Sequence, residues 1–486
     1  MGAATAGAFT VMGIAPCDGQ QKTKNVILLI VDDLRPELRC YGDKEVLSPN
    51  IDRLAAMGVQ FNRAYCNIAV SGASRSSLLT GSRPTRNTFL DAETWSEREK
   101  PDKQVMNAYF KSLGYTTLAS GGKIFHHPED HQEGWDILRE RQPSSVYHEA
   151  VNQGPFPGKI RGYAYEVGNV PDNAYPDGVI ADQSISDLEM LAAAGKPFFF
   201  GLGFFKPHLP FSCPKKYWDL YDYDKITVPD NYVLKEGNKI PEIALPNWGE
   251  LRGNYAGMPE KKGVLVPVDT ARKLIHGYRA CVTYTDTQIG RVMDKLKQLG
   301  LDKNTAIVLI GDNGWNLGEH GAWCKHSILE TSIHVPMIIY DPTSKLHGYK
   351  SNEVVEFVDL FPTICDILGV KKLDQFEGRS LYPLLNDPKA KSKGYAVVRW
   401  LQGYTLVTDD NYFYTEWWDN KDNITQRLMF DHNTDPDENY NVVDRPQYAK
   451  KVAELSPLLK QRRGADFDKY APSSDVKSSK LGASAE

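Results

Sequence analysis

The chain has 486 residues, with 57 lysines and arginines against 62 aspartates and glutamates, and a net charge of -5. That length allows one large domain or two joined ones, and so mild a charge carries no electrostatic footprint for nucleic acid or an anionic membrane. No stretch reaches the roughly 18 apolar residues needed to span a bilayer.

The first residues, "MGAATAGAFTVMGIAPCDGQQKTKN", carry no charge before Asp18 and are rich in small and apolar types. They resemble the apolar core and cleavage region of an export signal without its basic leader, or else a disordered tail. Cys17, in "IAPC", is a candidate for lipid attachment. "NVILLIV" (Asn25 to Val31) is an unbroken apolar run ending in charge, which predicts a buried parallel strand. "SPNIDRLAAMGVQF" predicts a helix with Ser48 as N-cap, Pro49 at the first position and Gly58 as the stop. "NIAVSGASRSSLLTGSRP" predicts a second helix beginning just after Ser71, with Arg75 one turn on.

"KPFFFGLGF", "TAIVLIGDNG" and "VPMIIYDP" are three more short apolar strands. Helical periodicity runs from Thr270 to Leu299, and "VEFVDLFPTICDILG" is a further helix that contains Pro362. Strands alternating with helices predict an α/β fold: a large, mostly parallel sheet flanked by helices. From about Gly394 the texture changes to an alternating, Tyr- and Trp-rich pattern turning at Asp409-Asp410, followed by a helix around Gln447 to Arg462. This predicts a smaller C-terminal α/β subdomain with an antiparallel sheet, whose Trp400, Tyr404, Trp417 and Trp418 serve packing or, alternatively, stack on a pyranose. The expected division is residues 1–22 as signal remnant or tail, 23–390 as the main domain, 391–470 as the subdomain, and 471–486 as a disordered tail. Seven cysteines without CxxC spacing suit neither a zinc site nor a dense disulfide framework.

Two strands end in acid: "LLIVDDLRP" delivers Asp32 and Asp33, and "IVLIGDNGW" delivers Asp312 and Asn313. Ligand sites in open α/β sheets lie beyond the carboxyl ends of the strands. Carboxylates gathered there repel unless a divalent cation joins them, and an all-oxygen set points to Ca²⁺ or, less well, Mg²⁺. Ser71 lies at the positive end of its helix, where free N–H groups bind anions, and Arg75 points to the same end. Serine, dication, anion-binding helix end and arginine together suggest attack on a sulfate or phosphate ester.

Ser71-Gly72-Ala73-Ser74-Arg75 followed by Leu79-Thr80-Gly81 resembles the signature of the sulfatases, formylglycine-dependent enzymes of the alkaline-phosphatase-like superfamily. "SPNIDRLAAMG", the Asp-Asn-Gly at 312–314 and "MFDHNTDPDENYNV" resemble the same family. "VDDLRPELRCYGD", "GGKIFHHP", "FFKPHLPF" and "GDNGWNLGEHGAWCKHS" are similar to its iduronate-2-sulfatase branch. The motifs span about Asn25 to Val442; Pro128 to Tyr175 and Thr227 to Val268 match none of them and are expected to be substrate-facing loops or insertions.

The resemblance implies that Asp32, Asp33, Asp312 and Asn313 bind calcium, with Ser71, oxidised to formylglycine, as a further ligand. It implies that Arg75 orients the hydrated aldehyde, that Lys123 and Lys325 hold the sulfate, and that His208 protonates the leaving oxygen. His126 then takes the proton that lets the aldehyde re-form, with His127 a competitor that the KxxH spacing disfavours. Arg35 is a candidate fork for a substrate carboxylate, against a structural salt bridge, and His326 a candidate sugar contact. Glu319 and His320 are expected to be loop structure.

The implied activity is exo-acting removal of the 2-O-sulfate from a terminal, saturated or unsaturated, uronic acid of glycosaminoglycan oligosaccharides. Alternatives are another carbohydrate, aryl or choline sulfatase, or a phosphonate or phosphodiester hydrolase of the same superfamily. The alternative without catalysis is a sulfoglycan-binding protein in which Ser71 stays unmodified. The serine form of the signature implies a serine-type formylglycine-generating maturase as partner and, with the export-like start, a periplasmic or otherwise exported bacterial protein.

Overall fold

The run Asn25–Val31 (β1) is buried at every position, as a strand covered on both faces has to be. The computed structural model describes residues 23–140 and 144–463, so the expectations for residues 1–22, Cys17 and the tail lie outside the described residues. The other strands of the main sheet are Val59–Tyr65 (β2), Thr116–Ser120 (β3), Ile137–Leu138 (β4), Phe198–Phe204 (β5), Thr305–Gly311 (β6), Met337–Tyr340 (β7) and Tyr349–Glu356 (β8). Their order is β8-β2-β7-β6-β1-β5-β3-β4. Every pairing is parallel except those of β7, which runs antiparallel to both β6 and β2.

Successive side chains of β1 point to opposite faces. Val26, Leu28 and Ile30 enter one core, which includes Leu78 and Leu79 of helix Ser71–Thr80 (α1) and Phe361 and Ile364 of Leu360–Leu368 (α2). Ile27, Leu29 and Val31 enter the other, under Pro176–Ala194 (α3) and Val268–Gln298 (α4). The expected α/β architecture is therefore present as a sheet between two helical layers. Pro362 falls in the first turn of α2, where its missing N–H has no intrahelical partner to lose.

One expected cap is made differently. The helix Pro49–Met57 starts where predicted, but Ser48 makes no side-chain cap. Its hydroxyl accepts from Arg39 N and donates to Asp52. Asp286, reaching over from α4, instead accepts from the N–H groups of Asn50 and Ile51 at 3.0 and 2.7 Å.

The C-terminal region is a four-stranded antiparallel meander of Tyr395–Trp400 (β9), Gly403–Thr408 (β10), Tyr412–Trp418 (β11) and Ile424–Asp431 (β12). Helix Ala449–Arg462 covers one face through Leu455 and Leu459, and the expected start near Gln447 is a 3-10 turn over Pro446–Tyr448. Trp400, Tyr404, Trp417 and Trp418 are all buried. Glu356, at the end of β8, ties this region to the main sheet. It accepts from Asn67 Nδ2 at 2.6 Å and from Val397 N at 3.0 Å, and it pairs with Arg83 and Lys393. The six described cysteines are free thiols, and no described helix is long and apolar enough to cross a membrane.

Candidate active site

β1 and β6 are adjacent and parallel, with Val31 opposite Gly311, so the acids just beyond them emerge side by side. Asp33 N donates to Asp312 Oδ1 at 2.9 Å, and carboxylate oxygens of Asp32, Asp33 and Asp312 lie within 4.8 Å of one another, all buried. Burial pushes the Asp33 carboxyl well up, and Asp32 and Asp312 push it further against Lys325. Burial also raises Asp312, against Arg75. At Asp32 burial is outweighed by Lys123, then His208, Arg75 and Lys325, which hold the carboxyl well below its usual range. Three such acids sharing one buried space call for a cation. Asp33 Oδ2 and Asn313 Oδ1 are buried and accept no hydrogen bond, and Asp32 Oδ2 meets the Lys123 ammonium. That hard-oxygen donor set fits Ca²⁺ or Mg²⁺.

Ser71 opens α1 directly against these acids. Its Oγ donates to Asp32 Oδ1 at 3.1 Å and stands 3.4 Å from both Asn313 Nδ2 and Lys325 Nζ. The helix can press this close because residue 72 is glycine: a Cβ there would lie 2.3 Å from the Ala92 carbonyl oxygen. One turn on, Arg75 donates from Nε to Asp312 Oδ2 at 2.9 Å, and its Nη2 lies 3.3 Å from Asp32 Oδ1. Burial disfavours its charge, but Asp312 and Asp32 outweigh it, so the guanidinium is held more firmly protonated than usual.

Two ammonium groups and two imidazoles complete the cluster. Lys123 Nζ is 3.1 Å from Asp32 Oδ2, and its backbone crosses β5 at Gly203, where a Cβ would meet it at 2.7 Å. Lys325 Nζ donates to Asp33 Oδ1 at 2.5 Å. It comes directly after the short strand Trp323–Cys324, and Cys324 and His326 on either side of it have φ of 63° and 65°. His208 donates from Nδ1 to Leu209 O at 2.7 Å, while its Nε2 is 3.7 Å from Asp33 Oδ2 and 3.2 Å from Glu250 Oε1. Burial, then Lys325, holds its pKa well below the usual value. His126 is held at about 3 by burial and then Lys123, which leaves it a neutral base. Its neighbour His127 stacks on Trp95 at 4.5 Å between ring centres.

A family model described as Sulfatase matches residues 24–370, and a second, described as N-sulphoglucosamine sulphohydrolase, C-terminal, matches residues 318–465. Iduronate 2-sulfatase of Homo sapiens is 35% identical over 384 residues, covering 71% of this chain and 69% of the relative. The chain belongs to the sulfatase family.

As a sulfatase it is a sulfuric ester hydrolase of the alkaline-phosphatase-like superfamily. A sulfatase of Formosa agariphila is 29% identical over 462 residues, covering 90% of this chain and 86% of its own. A structure solved with its substrate D-glucosamine-2-N,6-O-disulfate superposes with a TM-score of 0.72 at 25% identity, covering 92% of this chain and 99% of that one.

In this sulfatase the fold brings Asp32, Asp33, Ser71, Arg75, Lys123, His208, Asp312, Asn313 and Lys325 into one cluster, and the charges of Lys123, Asp32 and Arg75 act on His126. The Arg35 guanidinium donates from Nη1 to Glu319 at 2.8 Å and to Trp315 O at 3.0 Å, and its Nε pairs with Glu37 at 3.2 Å. His326 stacks on Trp400 at 5.5 Å between ring centres, and burial, then Lys325, lowers its pKa to about 3. Glu250 is the residue that sequence reasoning missed. It lies in the unmatched stretch from Thr227 to Val268, and only its distance to His208 reveals it.

Proposed function

We propose that this sulfatase removes the 2-O-sulfate from a terminal uronic acid, saturated or unsaturated, of glycosaminoglycan oligosaccharides. The observation that carries the reading is the likeness to iduronate 2-sulfatase across 71% of the chain, combined with a serine hydroxyl set among three acids, an arginine and two lysines. Asp32, Asp33, Asp312 and Asn313 would hold a Ca²⁺ ion, which supplies charge to offset the acids and polarise a sulfate oxygen. Ser71 oxidised to formylglycine would supply a hydrated aldehyde as nucleophile.

The protein's own groups divide the remaining work. Arg75 keeps Asp312 and Asp32 ionised and fixed. Lys123 and Lys325, already fixed beside the acids, would hold the sulfate oxygens as well, a preset electrostatic arrangement that needs little reorganisation. His208, its Nδ1 held by the Leu209 carbonyl, would take a proton from solvent at Nε2 and deliver it to the leaving sugar oxygen. His126, neutral in the resting site, accepts a proton from the nucleophile side. The serine at position 71 supports maturation by a serine-type system and a bacterial, periplasmic setting.

The relative solved with a glucosamine disulfate favours a second reading, a sulfate on glucosamine. A panel of defined disaccharides, run on protein co-expressed with a serine-type maturase, separates the two. The proposal requires release of sulfate from a terminal 2-O-sulfated uronate, and selective release from N- or 6-O-sulfated glucosamine defeats it. Peptide mass spectrometry at Ser71 should show the loss of two hydrogens; an intact serine in fully active protein would defeat the formylglycine assignment.

A further inference from the structure

The stretch from Thr227 to Val268 carries no family motif, yet one of its side chains enters the site. Gly249–Asn254 forms a short helix seated by the buried Trp248, Leu251 and Tyr255. It borders Cys324, the residue before Lys325, through a contact from Leu251 N. Glu250 projects from it so that Oε1 stands 3.2 Å from His208 Nε2, with the side chain 15% exposed. Its charge also acts on Lys325 and Asp33. Among the described residues no lysine or arginine lies within ion-pair distance of it.

The leaving oxygen has to approach His208 Nε2 to receive its proton. A carboxylate oxygen beside that same nitrogen is then within reach of the oxygen on the next ring carbon, because neighbouring pyranose oxygens are separated by about one hydrogen-bond length. We propose that Glu250 is a specificity residue that accepts a hydrogen bond from the hydroxyl vicinal to the sulfated carbon. The inference rests on the 2-O-sulfouronate reading, in which this hydroxyl is the one on C3, since C1 carries the glycosidic bond. An anionic acceptor welcomes a hydroxyl there and repels a second sulfate. The uronate carboxylate on C5 is not vicinal to C2 and is not opposed by it.

The test uses the full chain co-expressed with a serine-type maturase, with Ser71 conversion measured by mass in every preparation. Substrates are a disaccharide with a terminal 2-O-sulfated uronic acid, its 3-deoxy counterpart and 4-nitrophenyl sulfate. Each sugar rate is divided by the aryl rate of the same preparation, so that losses of fold or modification cancel. The unaltered chain is expected to favour the 3-hydroxyl over the 3-deoxy sugar by about 10–100-fold in kcat/KM, the range of a hydrogen bond to a charged group. Glu250→Ala should bring that ratio close to one, and Glu250→Gln, which keeps a neutral acceptor, should leave an intermediate ratio. No preference in the unaltered chain, or a preference that survives Glu250→Ala, overturns the proposal. Failure to cleave the uronate with turnover of another sulfated sugar defeats the uronate reading instead. The same vicinal-hydroxyl comparison on that sugar then decides for or against Glu250.

Discussion

Arg75 Nε donates to Asp312 Oδ2 at 2.9 Å, with both side chains sealed from solvent. Removing one member of such a buried pair leaves the other uncompensated, at a typical cost of about 3–5 kcal/mol. Arg75→Ala is therefore expected to lower the thermal midpoint and abolish turnover. Arg75→Lys keeps the charge but not the planar fork that meets Asp312 and Asp32 together, and should recover stability better than activity. Equal stability of all three proteins in thermal melts would contradict the assignment.

The three clustered acids and the orphaned oxygens of Asp33 and Asn313 predict that cation removal destabilises the folded chain. A ligand present at a hundred times its dissociation constant stabilises by about 2.7 kcal/mol. Exhaustive chelation should lower the thermal midpoint, calcium should restore it, and Asp33→Asn should blunt the response. A midpoint unmoved by chelator, in protein shown by elemental analysis to have lost its metal, would rule the site out.

Gly72 gives a purely steric prediction. A Cβ at this position would sit 2.3 Å from the Ala92 carbonyl oxygen, so Gly72→Ala has to displace either α1 or the Ala92 loop. Overpacking of this kind costs typically about 1–3 kcal/mol. Because the displaced turn carries Ser71, kcat should fall more than the loss of stability explains. Gly300, where a Cβ would meet nothing within 4 Å but φ is +71°, serves as the comparison: substitution there should cost stability alone.

Glu356 predicts a pH dependence. Burial pushes its carboxyl up, but Arg83 and Lys393 outweigh burial and hold it at about 2 against an ordinary 4.5. A carboxylate held below its unfolded value contributes stability that is complete above the unfolded pKa and lost as pH falls toward the folded one. The gap in thermal midpoint between the unaltered chain and Glu356→Gln should be widest above pH 4.5 and narrow toward pH 2. A gap independent of pH over that window would show that packing, not charge, is what Glu356 contributes.

Much of the site was legible because its parts sit at strand ends. An apolar run closed by Asp32-Asp33, and another closed by Asp312-Asn313, announce both the strands and the acids at their tips, and adjacency in a parallel sheet does the rest. The KxxH spacing chose His126 over His127, and in the fold His127 stacks on Trp95. Direction was not legible: the "VPMIIYDP" run reads the same whether β7 runs parallel or, as it does, antiparallel to both neighbours. Partnerships across long sequence separation were hidden too. Asp286 capping the Asn50 turn, Glu319 engaging Arg35 and Glu250 facing His208 are all set by tertiary packing and leave no local pattern.

Ser71 is 3% exposed, in a helix buried along its whole length. The loop leading to it is fastened by Asn67 Nδ2 donating to Glu356, and by Arg399 N donating to the Asn67 carbonyl. Under the proposed oxidation of Ser71, a maturase would have to reach the serine before those bonds close. The fastening strand is synthesised more than three hundred residues after the serine, which at roughly 5–20 residues per second leaves an interval on the order of tens of seconds. The C-terminal meander is thus a late latch on the Ser71 loop, and under the proposed maturation the order of synthesis would set the time in which a maturase can work.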